Sequence, residues 1–253
     1  MAAQNAREEA ERATTAAERL NGTLVLLQNM LRLSAPLRRM EAYDISNTAG
    51  MDIVASMTVL VDGKPKKSDY KRFKLENMED QDDYASMRQV LCRRFCHYLD
   101  GDKGFDERPD VLLIDGGENH ARVAVRVLEA HGLDIPVFGM VKDDRHRTRA
   151  LVTPEGREIG IVNDQAVFSL IGQIQEETHR FAITYHHQHH TKSAMRSALD
   201  GVPGLGPKRQ AELRKHFGTV KAIREADETA LAAVLPQNVA HTLWIRLHEK
   251  EST

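Results

Sequence analysis

The chain has 253 residues, of which 41% are hydrophobic and 28% charged, and its formal net charge is −2. This composition supports a real core, in one large domain or in a moderate domain plus a small one. No apolar run approaches eighteen residues and no signal peptide is recognisable, which argues against a membrane-spanning or secreted protein and predicts a soluble, cytoplasmic one. The near-neutral total does not exclude a nucleic-acid partner, because such binding depends on a local basic face.

The first segment, residues 1–37, is predicted to be an N-terminal helix that breaks before Pro36. It is rich in Ala, Glu, Arg and Leu. Its apolar residues recur at helical spacing: Leu20, Leu24, Leu27, Met30 and Leu31.

Three apolar runs follow, over residues 39–46, 52–61 and 68–75, and each has the β-branched and aromatic content of a strand. The pair Asp62-Gly63 lies between the second and third runs and is a turn signal. The pattern predicts an antiparallel meander of three strands, the first of which carries Asp44 close to its end.

Asp82 and Asp83 are predicted to open a helix that continues through Phe95, since carboxylates are favourable at a helix N-terminus. Cys92 and Cys96 lie four residues apart in this helix and would share one face. No second cysteine pair is present to complete a metal site, so we expect free or core thiols.

The rest of the chain alternates strands and helices. We expect a strand over 111–115, a helix around 121–130, a strand over 135–141, a turn-rich segment over 143–161 that suits a hairpin, and a helix over 165–181. This is an α/β pattern on a mixed sheet flanked by helices. Residues 186–198 are polar and are predicted to be an irregular linker. Its cluster His186-His187-Gln188-His189-His190 indicates a polar linker more than a metal site, because no nearby cysteine or acid completes one. A small all-α domain is expected over 199–253.

Two carboxylates end strands in this pattern. Asp115 follows four apolar residues and precedes two glycines, and Asp44 ends its run in much the same way. Together with Asp83 and His179 they could converge on one edge of the sheet. Packed carboxylates repel one another unless divalent cations neutralise them, and Mg²⁺ or Mn²⁺ prefers such oxygen ligands. The residues alone leave open that Asp83 only starts a helix and that His179 is an ordinary surface residue.

A second motif, Val202-Pro-Gly204-Leu-Gly206-Pro-Lys208-Arg209, places two glycines between helices and two cations directly after them. Such a turn can present backbone N–H groups to a phosphate at a helix N-terminus. Residues 191–224 contain eight Lys or Arg against two acidic residues, an excess of six positive charges. This pattern favours sequence-independent contacts with a nucleic-acid backbone. The alternative is a plain helical turn with a solvated basic face.

Several short motifs occur in one order along the chain: Tyr43-Asp-Ile-Ser-Asn-Thr48, Val54-Ala-Ser-Met57, Ser68-Asp-Tyr-Lys-Arg-Phe73, Asp82-Asp-Tyr-Ala85, Leu113-Ile-Asp-Gly-Gly117, Thr178-His-Arg-Phe-Ala-Ile183 and Val202-Pro-Gly-Leu-Gly-Pro-Lys-Arg209. This ordered set resembles the C-terminal half of UvrC, the bacterial nucleotide excision repair endonuclease. The resemblance covers nearly everything from residue 38 to residue 247.

The resemblance implies an RNase H-like endonuclease domain over 38–185 and tandem helix-hairpin-helix DNA-binding motifs over 199–253. It implies a catalytic set of Asp44, Asp115 and His179, with Asp83 as a further acid and with Asp44 and Asp115 holding Mg²⁺ or Mn²⁺. In the family this half makes the incision on the 5′ side of a lesion in double-stranded DNA after UvrB has been loaded there. A metal-activated water attacks the phosphodiester and leaves a 3′-hydroxyl.

Two departures from the family pattern limit these expectations. The nuclease domain of the GIY-YIG type and the UvrB-binding segment have no counterpart in this sequence, so we expect a fragment that cannot make both incisions alone. The second hairpin reads Leu235-Pro-Gln-Asn-Val239 where glycines are expected, so the first hairpin, with Gly204 and Gly206, should carry most DNA contacts. Two other functions stay open: a scaffolding module that binds DNA without cutting it, and a structure-specific nuclease outside excision repair.

Overall fold

The structure is a computed structural model that describes residues 2–46, 54–75, 82–144, 147–199 and 201–248. The chain divides between Ile183 and Thr184 into two compact units. Unit 1 contains the sheet and unit 2 is helical in the residues described. The first two residues of the predicted strand over 52–61 and the last five of the predicted C-terminal domain lie outside the described residues.

Unit 1 is built on a mixed eight-stranded sheet with the order β3-β2-β1-β5-β6-β7-β8, and β4 also pairs with β2. The pairs β1–β5 and β5–β6 are parallel, and the other pairs are antiparallel. The strands are β1 (Arg39–Ser46), β2 (Val54–Val61), β3 (Lys64–Pro65), β4 (Lys71–Lys74), β5 (Val111–Asp115), β6 (Val137–Lys142), β7 (Thr148–Val152) and β8 (Glu158–Gly160). The predicted meander and the hairpin expected over 143–161 are both confirmed.

Helices cover both faces of this sheet, as the mixed α/β prediction required. They are α1 (Ala2–Leu31), α2 (Asp83–Leu99), α3 (Glu118–Ala130) and α4 (Gln165–Leu199). One core lies between the sheet and α2 and α3, and the other between the opposite face and α1 and the first part of α4. None of the helices in the described ranges is long and apolar enough to cross a membrane.

Alternation along β1 shows how the sequence separates the two cores. Tyr43 packs in the α2–α3 core, while Met40 and Ala42 pack in the α1–α4 core. Because successive side chains of a strand point to opposite faces, every second residue of β1 belongs to the same core. Residues at even positions, including Asp44, therefore face α4.

Helix α2 begins as predicted. The side chain of Asp82 caps it by accepting hydrogen bonds from the backbone N–H groups of Tyr84 (2.9 Å) and Ala85 (3.0 Å), which would otherwise lack partners. Cys92 and Cys96 are free thiols, as expected.

Two predictions about local structure need correction. The run expected to form one strand over 68–75 contains a 3₁₀ turn at Lys67–Asp69, and only Lys71–Lys74 pairs with β2. The segment 186–198 was expected to be irregular, yet α4 continues through it to Leu199. The physical reason is visible in the sequence, because no glycine or proline occurs between residues 173 and 200. The side chains of His186–His190 lie outside the described residues, and the role of the segment as a domain connection stays a prediction.

Unit 2 contains α5 (Pro207–Phe217), α6 (Val220–Glu225), α7 (Glu228–Ala232) and α8 (Gln237–His248). Its own core includes Leu199, Val202, Leu205, Leu213, Ile223, Leu231, Leu235, Val239 and Leu243. The all-α character expected for this region is confirmed for the described residues. The assignment of tandem helix-hairpin-helix motifs stays a prediction.

Candidate active site

Strand register brings Asp44 and Asp115 side by side. Parallel pairing of β1 and β5 places Tyr43 opposite Ile114, and the next residues along the two strands are Asp44 and Asp115. Hydrogen-bonded strands lie about 4.8 Å apart, so the two residues are neighbours at the carboxyl ends of adjacent strands. We call Asp44 and Asp115 the open carboxylate pair.

Both carboxylates point to the face of the sheet that α4 covers. Asp115 alternates with Ile114 and shares its face with Leu113, which packs in the α1–α4 core. Asp44 is 7% exposed, and the side chain of Asp115 is 12% exposed. Two like charges in this largely buried position favour a nearby cation.

A nitrogen from a different element lies beside each carboxylate. The Nδ1 atom of His179, on α4, is 3.8 Å from Oδ2 of Asp44. The ammonium group of Lys142, at the end of β6, donates a hydrogen bond to Oδ2 of Asp115 at 2.7 Å. The structure thus brings together three residues that the sequence predicted for the site and adds a lysine.

The donor set fits a hard divalent cation. Mg²⁺ is commonly held by one or two carboxylates together with waters and substrate phosphate oxygens, and the open carboxylate pair supplies two. The ammonium group on Asp115 shows that this carboxylate already attracts a cation. Within the residues described, no three His, Cys, Asp or Glu side chains are close enough to form an all-protein metal cage. The remaining ligands would therefore come from water and substrate.

Contacts on both sides of His179 fix its part of α4 to the sheet. Thr178 donates to the carbonyl oxygen of Ile174 (2.8 Å), so the hydroxyl of Thr58 on β2 is the donor in its 2.6 Å hydrogen bond to Thr178. Tyr70 donates to Glu177 at 3.1 Å. Burial first, and then the Glu177 carboxylate, raises the pKa of Tyr70, so the phenol keeps the proton that it donates.

Phe181, two residues after His179, makes a further contact with β4. The guanidinium group of Arg72 stacks on its ring at 3.8 Å and donates to its carbonyl oxygen at 3.0 Å. Arg72 is paired in register with Ser56, which is paired with Asp44. The motifs around residues 68–73 and 178–183 are therefore in contact, and together they place His179 beside Asp44.

The turn after Asp115 rests directly on β6. A Cβ atom added to Gly139 would lie 2.5 Å from the carbonyl oxygen of Gly116 and 2.9 Å from that of Gly117. Backbone can approach backbone this closely only where a side chain is missing. Gly139 therefore sets how near the turn that follows Asp115 lies to the sheet.

Asp83 lies in the first turn of α2, as predicted. Its negative charge acts on the pKa of His120, which lies in the first turn of α3. Burial lowers the pKa of His120, while the charges of Asp83 and Asp115 oppose the shift. The ring of His120 also packs on Tyr84, with centroids 4.6 Å apart. His120 therefore lies within electrostatic range of both carboxylates, and a direct role of Asp83 stays a prediction.

The opposite face of β1 carries a second charged cluster, the buried ion network of Arg39, Glu41, Tyr43 and Arg94. The Glu41 carboxylate is 0% exposed. It accepts two hydrogen bonds from Arg39 (3.1 and 3.2 Å), one from Tyr43 (2.7 Å) and two from Arg94 (2.8 and 3.1 Å). Arg94 also donates to two backbone carbonyl oxygens in the loop before β5, each at 2.8 Å. Glu41 thus uses all its acceptor positions and Arg94 four of its five N–H donors inside the protein.

The glycine-rich turn predicted for DNA contact precedes α5 in unit 2. Gly204 has φ +79°, and a Cβ there would lie 2.9 Å from Val239, so the fold itself requires glycine. A Cβ at Gly206 would meet nothing within 4 Å. Lys208 is exposed, while Arg209 donates to the carbonyl oxygen of Gly204 at 2.6 Å and braces the turn. The four residues are close together, and DNA contact by them stays a prediction.

Sequence reasoning missed Lys142 and His120. Each carried a weak signal, since Lys142 ends an apolar strand and His120 follows the glycine pair by one helical turn. Their proximity to Asp115 depends on the pairing of β5 with β6 and on the start of α3, and neither can be read from local sequence.

A model of the UvrC RNase H endonuclease domain matches residues 28–183. The UvrABC system protein C of Acetivibrio thermocellus is 43% identical over 242 residues, which are 89% of this chain and 39% of that protein. The protein of the same name from Thermoanaerobacter sp. (strain X514) is 47% identical over 213 residues, covering 79% of this chain and 34% of that protein.

Among solved structures, Ciona intestinalis Endonuclease V in complex with a DNA 24mer has a TM-score of 0.34 and 15% identity, covering 54% of this chain and 59% of that chain. This similarity is too low to support an inference about function. The chain spans between about a third and two fifths of the length of the curated relatives it matches. The match to the family model, over residues 28–183, covers more than half of the chain. The chain therefore belongs to the family of the UvrC RNase H endonuclease domain.

Proposed function

We propose that unit 1 is a divalent-metal-dependent DNA endonuclease that makes the 5′-side incision at lesions in nucleotide excision repair. The observation that carries the proposal is the register of β1 and β5, which sets Asp44 and Asp115 side by side at the ends of parallel strands. A scaffolding domain that does not cut has no need of two adjacent, largely buried carboxylates.

Asp44 and Asp115 would hold Mg²⁺ or Mn²⁺. When bound, such an ion supplies an activated water and stabilises the leaving oxygen of a phosphodiester. The residues of the chain do the rest. The carboxylates orient the reacting groups from the rigid ends of two strands, and His179 is placed to carry a proton or to add a ligand next to Asp44.

The family supports the further parts of the proposal. UvrC relatives carry the name of the UvrABC system, and we infer double-stranded damaged DNA as substrate and UvrB as the partner that presents it. Unit 2 would hold the duplex by its phosphates, because the turn at Gly204 and Gly206 opens α5 next to the exposed Lys208 and because residues 191–224 are strongly basic.

An incision assay with a metal-site variant tests this function. The substrate is a lesion-containing duplex already nicked on the 3′ side, with Mg²⁺ or Mn²⁺ and with or without UvrB, so that only the 5′ cut is scored. Asp115→Asn should reduce cutting by at least about a thousandfold, since loss of a catalytic group commonly costs that much or more. DNA affinity should stay within a few-fold.

Asp62→Asn is the matched control. Asp62 lies in the β2–β3 turn, at the opposite end of the β1–β2 pair from Asp44. Its φ is +48°, a value that asparagine also adopts. This variant should cut at the wild-type rate. Wild-type cutting by Asp115→Asn would refute the metal-site assignment.

A further inference from the structure

We infer that Lys142 is the built-in counter-ion of the open carboxylate pair and that its ammonium group competes with the divalent cation for Asp115. The inference rests on the proposed function, because it takes Asp115 as a metal ligand. In this inference, Asp44 and Asp115 promote metal binding and Lys142 opposes it.

The first support is the contact itself. The Nζ atom of Lys142 is 2.7 Å from Oδ2 of Asp115, which is the distance of a charge-assisted hydrogen bond. The side chain of Asp115 is only 12% exposed, and that of Lys142 is 33% exposed. The ammonium group thus occupies one of the oxygen atoms that a cation would use.

The second support is the local backbone. Pairing of β6 with β7 is irregular between Val141 and Lys142, since Val141 pairs with Ala150 and Lys142 pairs with Thr148. The extra residue, Arg149, is on β7, so the alternation of β6 continues to its end. Met140 pairs with Asp115 and packs in the α1–α4 core, and Lys142, two residues further on, therefore lies on the same face as Asp115.

The third support is the charge balance of the site. Two adjacent carboxylates repel each other in the absence of metal, and one ammonium group removes much of that repulsion. Nδ1 of His179 is 3.8 Å from the other carboxylate and its side chain is 61% exposed, so the contact of Lys142 with Asp115 is the closer of the two. Lys142 therefore stabilises the metal-free site, and a cation that enters must displace it from Oδ2 or share that oxygen with it.

Metal titration without DNA tests the inference without reading activity. Mn²⁺ binding is measured by the loss of the free-ion electron paramagnetic resonance signal for wild type, Lys142→Met, Lys142→Gln, Asp115→Asn and Lys64→Met. Lys64 is an exposed lysine on β3 of the same sheet, so its variant removes the same charge away from the site.

Lys142→Met and Lys142→Gln should bind Mn²⁺ about fivefold more tightly than wild type, which corresponds to about 1 kcal/mol at 1.4 kcal/mol per factor of ten. Lys64→Met should match wild type. Asp115→Asn should lose Mn²⁺ binding, because the carboxylate that Lys142 and the cation share is gone. Two different replacements guard against one variant that folds poorly.

The contrary results separate the inference from the function on which it rests. Equal or weaker Mn²⁺ binding by both Lys142 variants, together with loss of binding in Asp115→Asn, overturns the competition and leaves the metal site intact. Unchanged Mn²⁺ binding in Asp115→Asn overturns the metal site and the inference with it.

Discussion

Strand β1 contributes to two charged clusters, one on each face. The buried ion network combines opposite charges, while the open carboxylate pair brings two like charges together. In the buried ion network, every hydrogen-bonding position of Glu41 is used and Arg94 is 0% exposed. In the open carboxylate pair, Asp44 and Asp115 lie at strand ends with one nitrogen beside each. The same strand therefore holds one cluster that is complete within the protein and one that still attracts a cation.

The difference teaches where to look for function in a charged protein. A buried charge that has all its partners is a structural element, since breaking it costs several kcal/mol. Two carboxylates that lie together repel each other in the metal-free fold, so their presence indicates a ligand that compensates them. Charge alone does not separate the two clusters, but the neighbouring charges do, since Glu41 lies between two arginines and Asp44 lies beside Asp115.

The largest expected effect on stability is in the buried ion network. Arg94→Met removes the guanidinium group and leaves the Glu41 carboxylate buried with fewer donors, which should lower the free energy of unfolding by about 3–5 kcal/mol. Urea denaturation measures this loss. Incision per folded molecule should stay within a few-fold of wild type, because the network lies on the face away from α4.

Arg149→Met is the matched control for this change. Arg149 and Glu158 form an ion pair at 2.8 Å whose side chains are 44% and 47% exposed. Its loss should cost about 0–1 kcal/mol. Equal costs for the two variants would break the distinction between a saturated buried network and a surface ion pair.

The basic turn at Lys208 and Arg209 extends the comparison to unit 2. Replacing both Lys208 and Arg209 with alanine should weaken duplex binding about tenfold and reduce the slope of log affinity against log salt by roughly one unit per lost phosphate contact. Arg209 is already bonded to Gly204, so Lys208→Ala alone should account for most of the change in slope. Fluorescence anisotropy at several salt concentrations measures both quantities, and an unchanged slope would count against the turn as a phosphate site.

The smallest effect concerns the attachment of α4 near His179. Tyr70→Phe removes the hydroxyl that donates to Glu177 and keeps the ring against Phe181, so the stability loss should be about 1 kcal/mol. Incision should fall a few-fold, because the helix turn that carries His179 is held less firmly. Lys103→Met, in an exposed loop, is a neutral comparison, and a Tyr70→Phe enzyme with wild-type rates would show that this contact does not position His179.

Much of unit 1 could be predicted because its elements are short and clearly bounded. The apolar run before Asp115 and the glycine pair after it gave the strand and its end, and Asp82 marked the start of α2. Burial on one side and a turn residue on the other fix such boundaries locally. A polar composition favours a linker over 186–198, but the absence of glycine and proline there lets α4 continue through the segment.

The site was predicted only as far as local sequence allows. Asp44 and Asp115 stood out because each ends an apolar run, and the family resemblance added His179. Lys142 lies 27 positions after Asp115 in the sequence, and only the pairing of β5 with β6 joins them. The same holds for Thr58 and Thr178, which are 120 positions apart and meet through the packing of α4 on β2.

The position of the Asp115 carboxylate depends on Gly139, a residue that has no side chain and no reactive group. A single methyl group there would push outward the turn that follows Asp115, and the carboxylate would move with it. A survey of polar or charged positions would pass over this residue entirely. Substitution of Gly139 would therefore displace the Asp115 carboxylate although every side chain of the candidate site kept its identity.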